Sequence, residues 1–250
     1  MIADIGYGTQ FARFYDKLFP SGPDAESAAE FLAARHTGGA GLELGVGTGR
    51  IALPLAARTG AVVGVDSSTE MLELLDARAA ETGLPVTGVH GDLRDHADDT
   101  AYGLVYCVCG TLSMLLDAAD QARAVKAAAA RLAPEATLVV ETHNPAVARA
   151  LNQGRARDSF FVPYPGRDTG LLSYSTVDEV AKVWRLAHIF FDDGRATIAQ
   201  EASRLTDPEE VDAYASAAGL TKVGHYGDWS GTPFTGVEPM VVCEYRASDA

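Results

Sequence analysis

The sequence predicts an α/β fold with a mostly parallel sheet, helices ahead of the first strand and a small antiparallel addition late in the chain. Three observations carry this. Through roughly the first 150 residues, short apolar runs alternate with amphipathic Ala- and Leu-rich segments, the rhythm of βαβ units. A glycine-rich turn, Gly45-Val46-Gly47-Thr48-Gly49, stands where the first apolar run gives way to the first amphipathic segment. After Pro145 strand-like alternation takes over, with Asp192-Asp193-Gly194-Arg195 as a hairpin turn.

Two helices come first, one around Phe11 to Leu18 and one from Asp24, which can cap it, to Arg35. Strand runs follow at Gly41 to Leu44, Ala61 to Val65, Val86 to His90, Leu104 to Val108 and Thr137 to Glu141. Between them, Arg50 to Arg58, Thr69 to Ala80 and Ala118 to Leu132 show the period of a helix. Leu171 to Val177, Lys182 to Phe191 and Ala196 to Leu205 alternate as three strands. A helix starts behind Thr206-Asp207-Pro208-Glu209, with Pro near the first helical position and acids in the first turn, and stops at Gly219. Strands at Thr221 to Tyr226 and Val237 to Tyr245 complete the chain. The chain thus divides into a helical cap at 1–38, an α/β core at 39–152, an antiparallel insertion at 153–205 expected to cover the ligand edge as a lid, and the remainder of the core at 206–250.

At 250 residues, 47% hydrophobic and 22% charged, the chain is sized for one globular domain with a small appended part. Thirty-four acidic against 20 basic residues give a net charge of −14, which argues against nucleic acid or anionic lipid as a partner. Met1-Ile2-Ala3-Asp4 lacks the basic and apolar segments of a signal peptide, and no run reaches the roughly 18 apolar residues of a spanning helix, so a cytoplasmic location is expected. Cys107, Cys109 and Cys243 are wrongly spaced for zinc, and no metal is expected. Cys107 and Cys109, two apart in an apolar run, are expected on one face of a strand as small core residues. Nothing in the sequence separates a monomer from a homodimer.

The residues richest in chemistry are Glu43-Leu44-Gly45-Val46-Gly47-Thr48-Gly49-Arg50. Glycines at a strand-to-helix turn let a ligand approach the backbone. The spacing is Gly-x-Gly-x-Gly, not the dinucleotide Gly-x-Gly-x-x-Gly, and no Gly-Lys-Ser/Thr phosphate cradle is present. The second strand ends in Asp66, about 20 residues on, where a carboxylate can accept both hydroxyls of a ribose. The third ends in Gly91-Asp92-Leu93, and Asp92 is placed to accept an adenine amine. Three carboxylates, Glu43, Asp66 and Asp92, disfavour a pyrophosphate and suit an adenosine ligand that carries positive charge.

These residues resemble the class I S-adenosylmethionine-dependent methyltransferases, over most of residues 7 to 246. The resemblance implies a Rossmann-like sheet, mostly parallel with the last strand antiparallel, S-adenosylmethionine as cofactor and S-adenosylhomocysteine as product. It implies that Glu43, Gly45, Gly47 and Gly49 hold the methionine part, Asp66 the ribose, and Ser67, Met71, Asp92 and Leu93 the adenine. Cys109, in Cys109-Gly110-Thr111, falls where that family lines the sulfonium and substrate. Tyr15, in Phe11-Ala12-Arg13-Phe14-Tyr15-Asp16, matches a cofactor-covering helix of small-molecule members. Tyr226 to Phe234 resembles a hairpin of bacterial small-molecule methyltransferases and is taken as mainly structural. Met114 stands where some aminosugar enzymes of that group place a His.

The implied activity is methyl transfer to a nitrogen or oxygen of a small molecule in secondary metabolism. Peptide N-methylation and C-methylation are alternatives within the class; a nicotinamide-dependent oxidoreductase and a non-catalytic S-adenosylmethionine-binding module lie outside it. An amine acceptor needs little beyond positioning, whereas a hydroxyl or carbon acid needs a base. His143, at the end of the fifth strand on the cofactor edge, is the first candidate; His188 in the lid and Tyr15 follow. His36 and His96 are expected in solvent and His90 in packing.

Overall fold

The apolar runs that predict strands all find partners. A computed structural model describes residues 6–164, 168–192 and 194–247; Met1 to Asp4 and Asp193, part of the hairpin turn read above, lie outside them. β1 (Gly41–Leu44), β2 (Val62–Asp66), β3 (Val86–His90), β4 (Tyr102–Cys107) and β5 (Leu132–His143) pair in parallel. With β10 (Leu220–Tyr226) and β11 (Met240–Ala247) they form one seven-stranded sheet of order β10-β11-β5-β4-β1-β2-β3. Only β11 runs antiparallel to both its neighbours, as the family resemblance implies.

Helices cover both faces. On one, α3 (Pro23–Ala33), α4 (Ala52–Thr59) and α5 (Thr69–Thr82) pack Leu32, Leu55 and Leu75 against Leu104 and Tyr106 of β4. On the other, α6 (Ala118–Ala129) and α8 (Pro208–Ala217) pack Val125 and Val211 against Val105 and Cys107. Successive β4 side chains therefore face opposite layers. Cys109 departs from the strand reading: β4 ends at Cys107, and Cys109 turns left-handed at φ 57° and packs with the other layer. The two thiols thus belong to different faces.

Other differences are local. The single helix expected over Phe11 to Leu18 is two short ones, α1 (Tyr7–Phe11) and α2 (Tyr15–Leu18), separated at Phe14, whose φ of −134° is not helical. α3 starts at Pro23 behind Gly22, so Asp24 lies in its first turn and is not its cap. Pro145 opens a helix that the sequence reading left out, α7 (Pro145–Leu151), capped by Asn144, which accepts from the Ala146 amide. His90 is exposed, its Nε2 against the Ser67 carbonyl, while the His96 ring is largely buried beside Asp98.

The insertion is an antiparallel sheet of four strands, one more than predicted: β6 (Arg157–Pro163), β7 (Gly170–Asp178), β8 (Val183–Asp192) and β9 (Arg195–Arg204). It docks on the N-terminal helices. Phe14 stacks on Phe190, Lys17 pairs with Asp192 at 2.7 Å, and the Gln200 amide donates to the Gln10 side chain. Among the described residues no helix is long and apolar enough to cross a membrane.

Candidate active site

Strand order reverses beside β1, whose neighbours β2 and β4 feed connections to opposite sides, and such a switch point opens a crevice at the strands' carboxyl ends. A cavity of about 800 Å³ lies there. Its wall draws on the ends of β1 to β5, on Tyr7 and Tyr15 of the N-terminal helices, on Trp184 and Glu201 of the insertion, and on Trp229 of the β10–β11 loop.

The glycine turn forms one side. Gly45 sits at φ +81°, and a Cβ there would fall 2.2 Å from Thr111 Cγ2, so conformation and space both require glycine. The Gly47 amide donates to Asp66 Oδ2 at 2.8 Å, and the Ser68 amide to Oδ1 at 2.9 Å. Two backbone donors thus orient the Asp66 carboxylate at the strand end. Gly49 does not reach the cavity: its Cα faces Leu75 at the helix–sheet contact. Thr48 ties the turn to α2, since its hydroxyl lies 3.2 Å from Asp16 and 3.0 Å from Arg78, which also pairs with Asp16.

Charge is distributed differently from three free carboxylates. Asp92 is neutralised by the Arg94 guanidinium, whose Nε sits 2.9 Å from Oδ1 and which also holds Asp120 at 3.0 Å. Glu43 is buried and accepts from the Tyr106 hydroxyl at 3.0 Å; burial pushes its carboxyl up to about 8, against the pull of that hydroxyl and of Arg50. Glu141, accepting the Cys109 amide at 2.6 Å, is pushed up to about 7, again by burial. Both can carry protons near neutral pH.

Of the residues singled out in the sequence, Tyr15, Glu43, Gly45, Gly47, Asp66, Ser67, Met71, Asp92, Leu93, Cys109 and His143 all line this cavity. His143 packs its ring edge-on against Trp184 at 5.4 Å and close to Gly110, and burial holds its pKa below the usual imidazole value. Tyr15, half-buried like His143, has its hydroxyl pKa pushed up, chiefly by desolvation. His188 stands behind the wall, its ring between Ser173 and Glu201 and edge-on to Phe11. Among the described residues no group of three His, Cys, Asp or Glu side chains is arranged to hold a metal ion.

Comparison with known proteins agrees with this geometry. A methyltransferase-domain family model matches residues 42–135. The CcbJ methyltransferase from Streptomyces caelestis superposes with a TM-score of 0.89 at 32% identity, covering 97% of this chain and 98% of that one. This chain belongs to the S-adenosylmethionine-dependent class I methyltransferases. A curated relative of this methyltransferase, the cypemycin N-terminal methyltransferase of a Streptomyces species, is 28% identical over 81% of the chain and 82% of its own length. Its fold also matches S-adenosylmethionine-bound CalS10, an amino pentose methyltransferase from Micromonospora echinaspora, at TM-score 0.67 and 22% identity, over 99% of this chain and 98% of that one. The cofactor of the methyltransferase is S-adenosylmethionine.

Several wall residues of this methyltransferase escaped the sequence reading. Arg50 reaches the Cys109 sulfur at 2.9 Å, and its Nε is buried with no hydrogen-bond partner. An arginine directly after the last glycine was the available signal. Glu141 had one too: an acid inside Leu138-Val139-Val140-Glu141 is a charge in a buried strand. Trp229, within the segment read as structural, lines the cavity, as do Trp184 and Glu201, whose inward direction only the docking of the insertion decides.

Proposed function

We propose that this methyltransferase methylates a nitrogen of a small natural-product molecule. The observation that carries this reading is the state of His143. It faces the cavity, burial favours its neutral form, and among the described residues it makes no hydrogen bond that would orient it or raise its basicity. Such an imidazole is a weak base for a hydroxyl and an adequate one for an ammonium already near its own pKa. The name of the 28% identical relative, an N-terminal methyltransferase, agrees with it.

The residues present fit the cofactor. Gly45 and Gly47 leave the turn without side chains, Asp66 offers an oriented carboxylate for a ribose, and Ser67, Met71 and Leu93 flank the slot beside it. Asp92, held by Arg94, stands at the adenine edge. The orphaned Nε of Arg50 suits the methionine carboxylate, with Glu43 beneath the methionine ammonium and Tyr15 and Cys109 closing that end. Gly49 and His188 act behind the contact surface. When bound, S-adenosylmethionine supplies an electrophilic methyl on a sulfonium. The chain's own part is to orient the acceptor, exclude water and take a proton, chiefly by positioning.

O-methylation is the second reading, favoured by the placement of the same neutral His143 on the cavity wall. Incubation with S-adenosylmethionine and a library of natural-product scaffolds that carry both amines and hydroxyls separates the two. S-adenosylhomocysteine release with the new methyl mapped to nitrogen is the expected outcome; a methyl on oxygen or carbon overturns it.

A further inference from the structure

One carboxylate on the acceptor side of the cavity lacks a Lys or Arg partner among the described residues. Glu201, on β9, lines the wall opposite its register partner Leu186 of β8. Its Oε1 accepts from His188 Nε2 at 3.1 Å, and His188 Nδ1 lies 2.8 Å from the Ser173 hydroxyl. The row follows from the sheet register. Ser173 of β7 stands opposite His188 of β8, and Glu201 lies two residues along β9 from Ala199, the residue facing His188. Ser173 is fully buried and cannot meet a substrate, so its hydroxyl serves to orient the ring. A hydroxyl donating to Nδ1 leaves Nε2–H to donate to the carboxylate.

This row fixes the direction of Glu201, which lines the main cavity and also a second one of about 570 Å³ beside it. Glu201 shares the main cavity with Tyr7 of α1 and with His143 at the end of β5. Tyr7 and Trp184 present aromatic rings to the same space. Oε2 accepts no hydrogen bond from the described residues. A carboxylate with an open oxygen beside aromatic faces is a receptor for an N–H-bearing cation.

We propose that Glu201 anchors the acceptor's amine: Oε2 receives an N–H of the ammonium, Tyr7 and Trp184 enclose its substituents, and amines are thereby selected over hydroxyls; another N–H proton passes to His143, which frees the lone pair that attacks the sulfonium methyl as S-adenosylhomocysteine leaves. This rests on the nitrogen reading above. His188 and Ser173 are positioning residues, acting through the direction of the Glu201 carboxylate. A negative group at this point also favours the positive charge that a nitrogen gains on methylation.

Binding tests the anchor without turnover. Trp184 and Trp229 are the chain's two tryptophans and both line the cavity, so intrinsic fluorescence of the protein saturated with S-adenosylhomocysteine reads occupancy there. Benzylammonium and benzyl alcohol share a ring and a length and differ in charge. Wild type is expected to bind the ammonium about tenfold more tightly, as one charge-assisted hydrogen bond warrants. Glu201→Gln, which keeps the shape, should reduce the ratio to about twofold or less while S-adenosylhomocysteine affinity stays within about twofold of wild type. Ser173→Ala should lower the ratio part-way, by about threefold, with no change in thermal midpoint large enough to signal unfolding. Preference for the ammonium surviving intact in Glu201→Gln overturns the Glu201 assignment alone. No preference in wild type, including no binding of the ammonium at all, overturns the anchor and counts against the nitrogen reading with it.

Discussion

Glu43 shows how a single buried acid links binding to stability. In the folded chain it is 3% exposed and titrates near 8, whereas an unfolded chain releases the same proton near 4.5. Below the lower value both states hold the proton and nothing is gained or lost. Between the two, the folded state binds the extra proton, so stability falls as pH rises across that window. Each pH unit is worth up to about 1.4 kcal/mol, and about 2–4 °C of melting temperature per kcal/mol in a chain of this size. Glu43→Gln has no proton to lose. Its melting temperature relative to wild type should climb by several degrees between about pH 5 and 8, and a difference independent of pH would place the titration elsewhere. Acids at strand ends, Glu43, Asp66 and Asp92, were legible in the sequence because glycine turns mark where strands stop. Their surroundings were not: burial pushes the Glu43 carboxyl up against the pull of Tyr106 and of Arg50, 7 residues on, and Asp92 pairs with Arg94, 2 residues on, through contacts that only the folded chain creates.

Elements were legible where periodicity and burial agree, as in β1 to β5 of the sheet between the two helical layers and in α3 to α6, which each bury one face against that sheet. Two of the failures involve the insertion. Phe11 and Phe14 share a helical spacing, yet the helix breaks so that Phe14 can stack on Phe190 with centroids 5.5 Å apart. β6 carries Phe161 at 56% exposure, an edge strand whose apolar residues no core explains. The Phe14–Phe190 contact makes a prediction about the insertion as a unit. Truncating a buried aromatic ring costs about 3 kcal/mol, which, if borne by docking, raises the undocked fraction about a hundredfold. Phe190→Ala should therefore accelerate tryptic cleavage at the exposed Arg195 by at least about tenfold. Lys17→Ala removes a pair with side chains 60% and 46% exposed and a cation–π contact 5.7 Å from the Phe190 ring centre, both weak at an exposed site, so it should change cleavage little. Equal cleavage of Phe190→Ala and wild type would mean that the stack does not hold the insertion down.

Across the whole molecule, the cavity wall is assembled from three parts that meet at the N-terminal helices. Asp16 ties α2 to the glycine turn through Thr48 and Arg78, and Phe14 and Lys17 tie the same segment to β8. A ligand seated against the turn therefore stabilises the insertion as well, because undocking the insertion frees the segment that closes the site. Saturation at about 100 times the dissociation constant adds about 2.7 kcal/mol against any opening that destroys the site, slowing exchange through it about a hundredfold. Hydrogen exchange with S-adenosylhomocysteine present should thus slow together in residues 7–18, in the turn at 45–49 and in β8 and β9 near Leu186 and Glu201. β6, outside the cavity wall, serves as the internal reference and should not change with them. Protection confined to the turn, with β8 and β9 exchanging as in the free protein, would show that core and insertion open independently and that the N-terminal helices do not couple them.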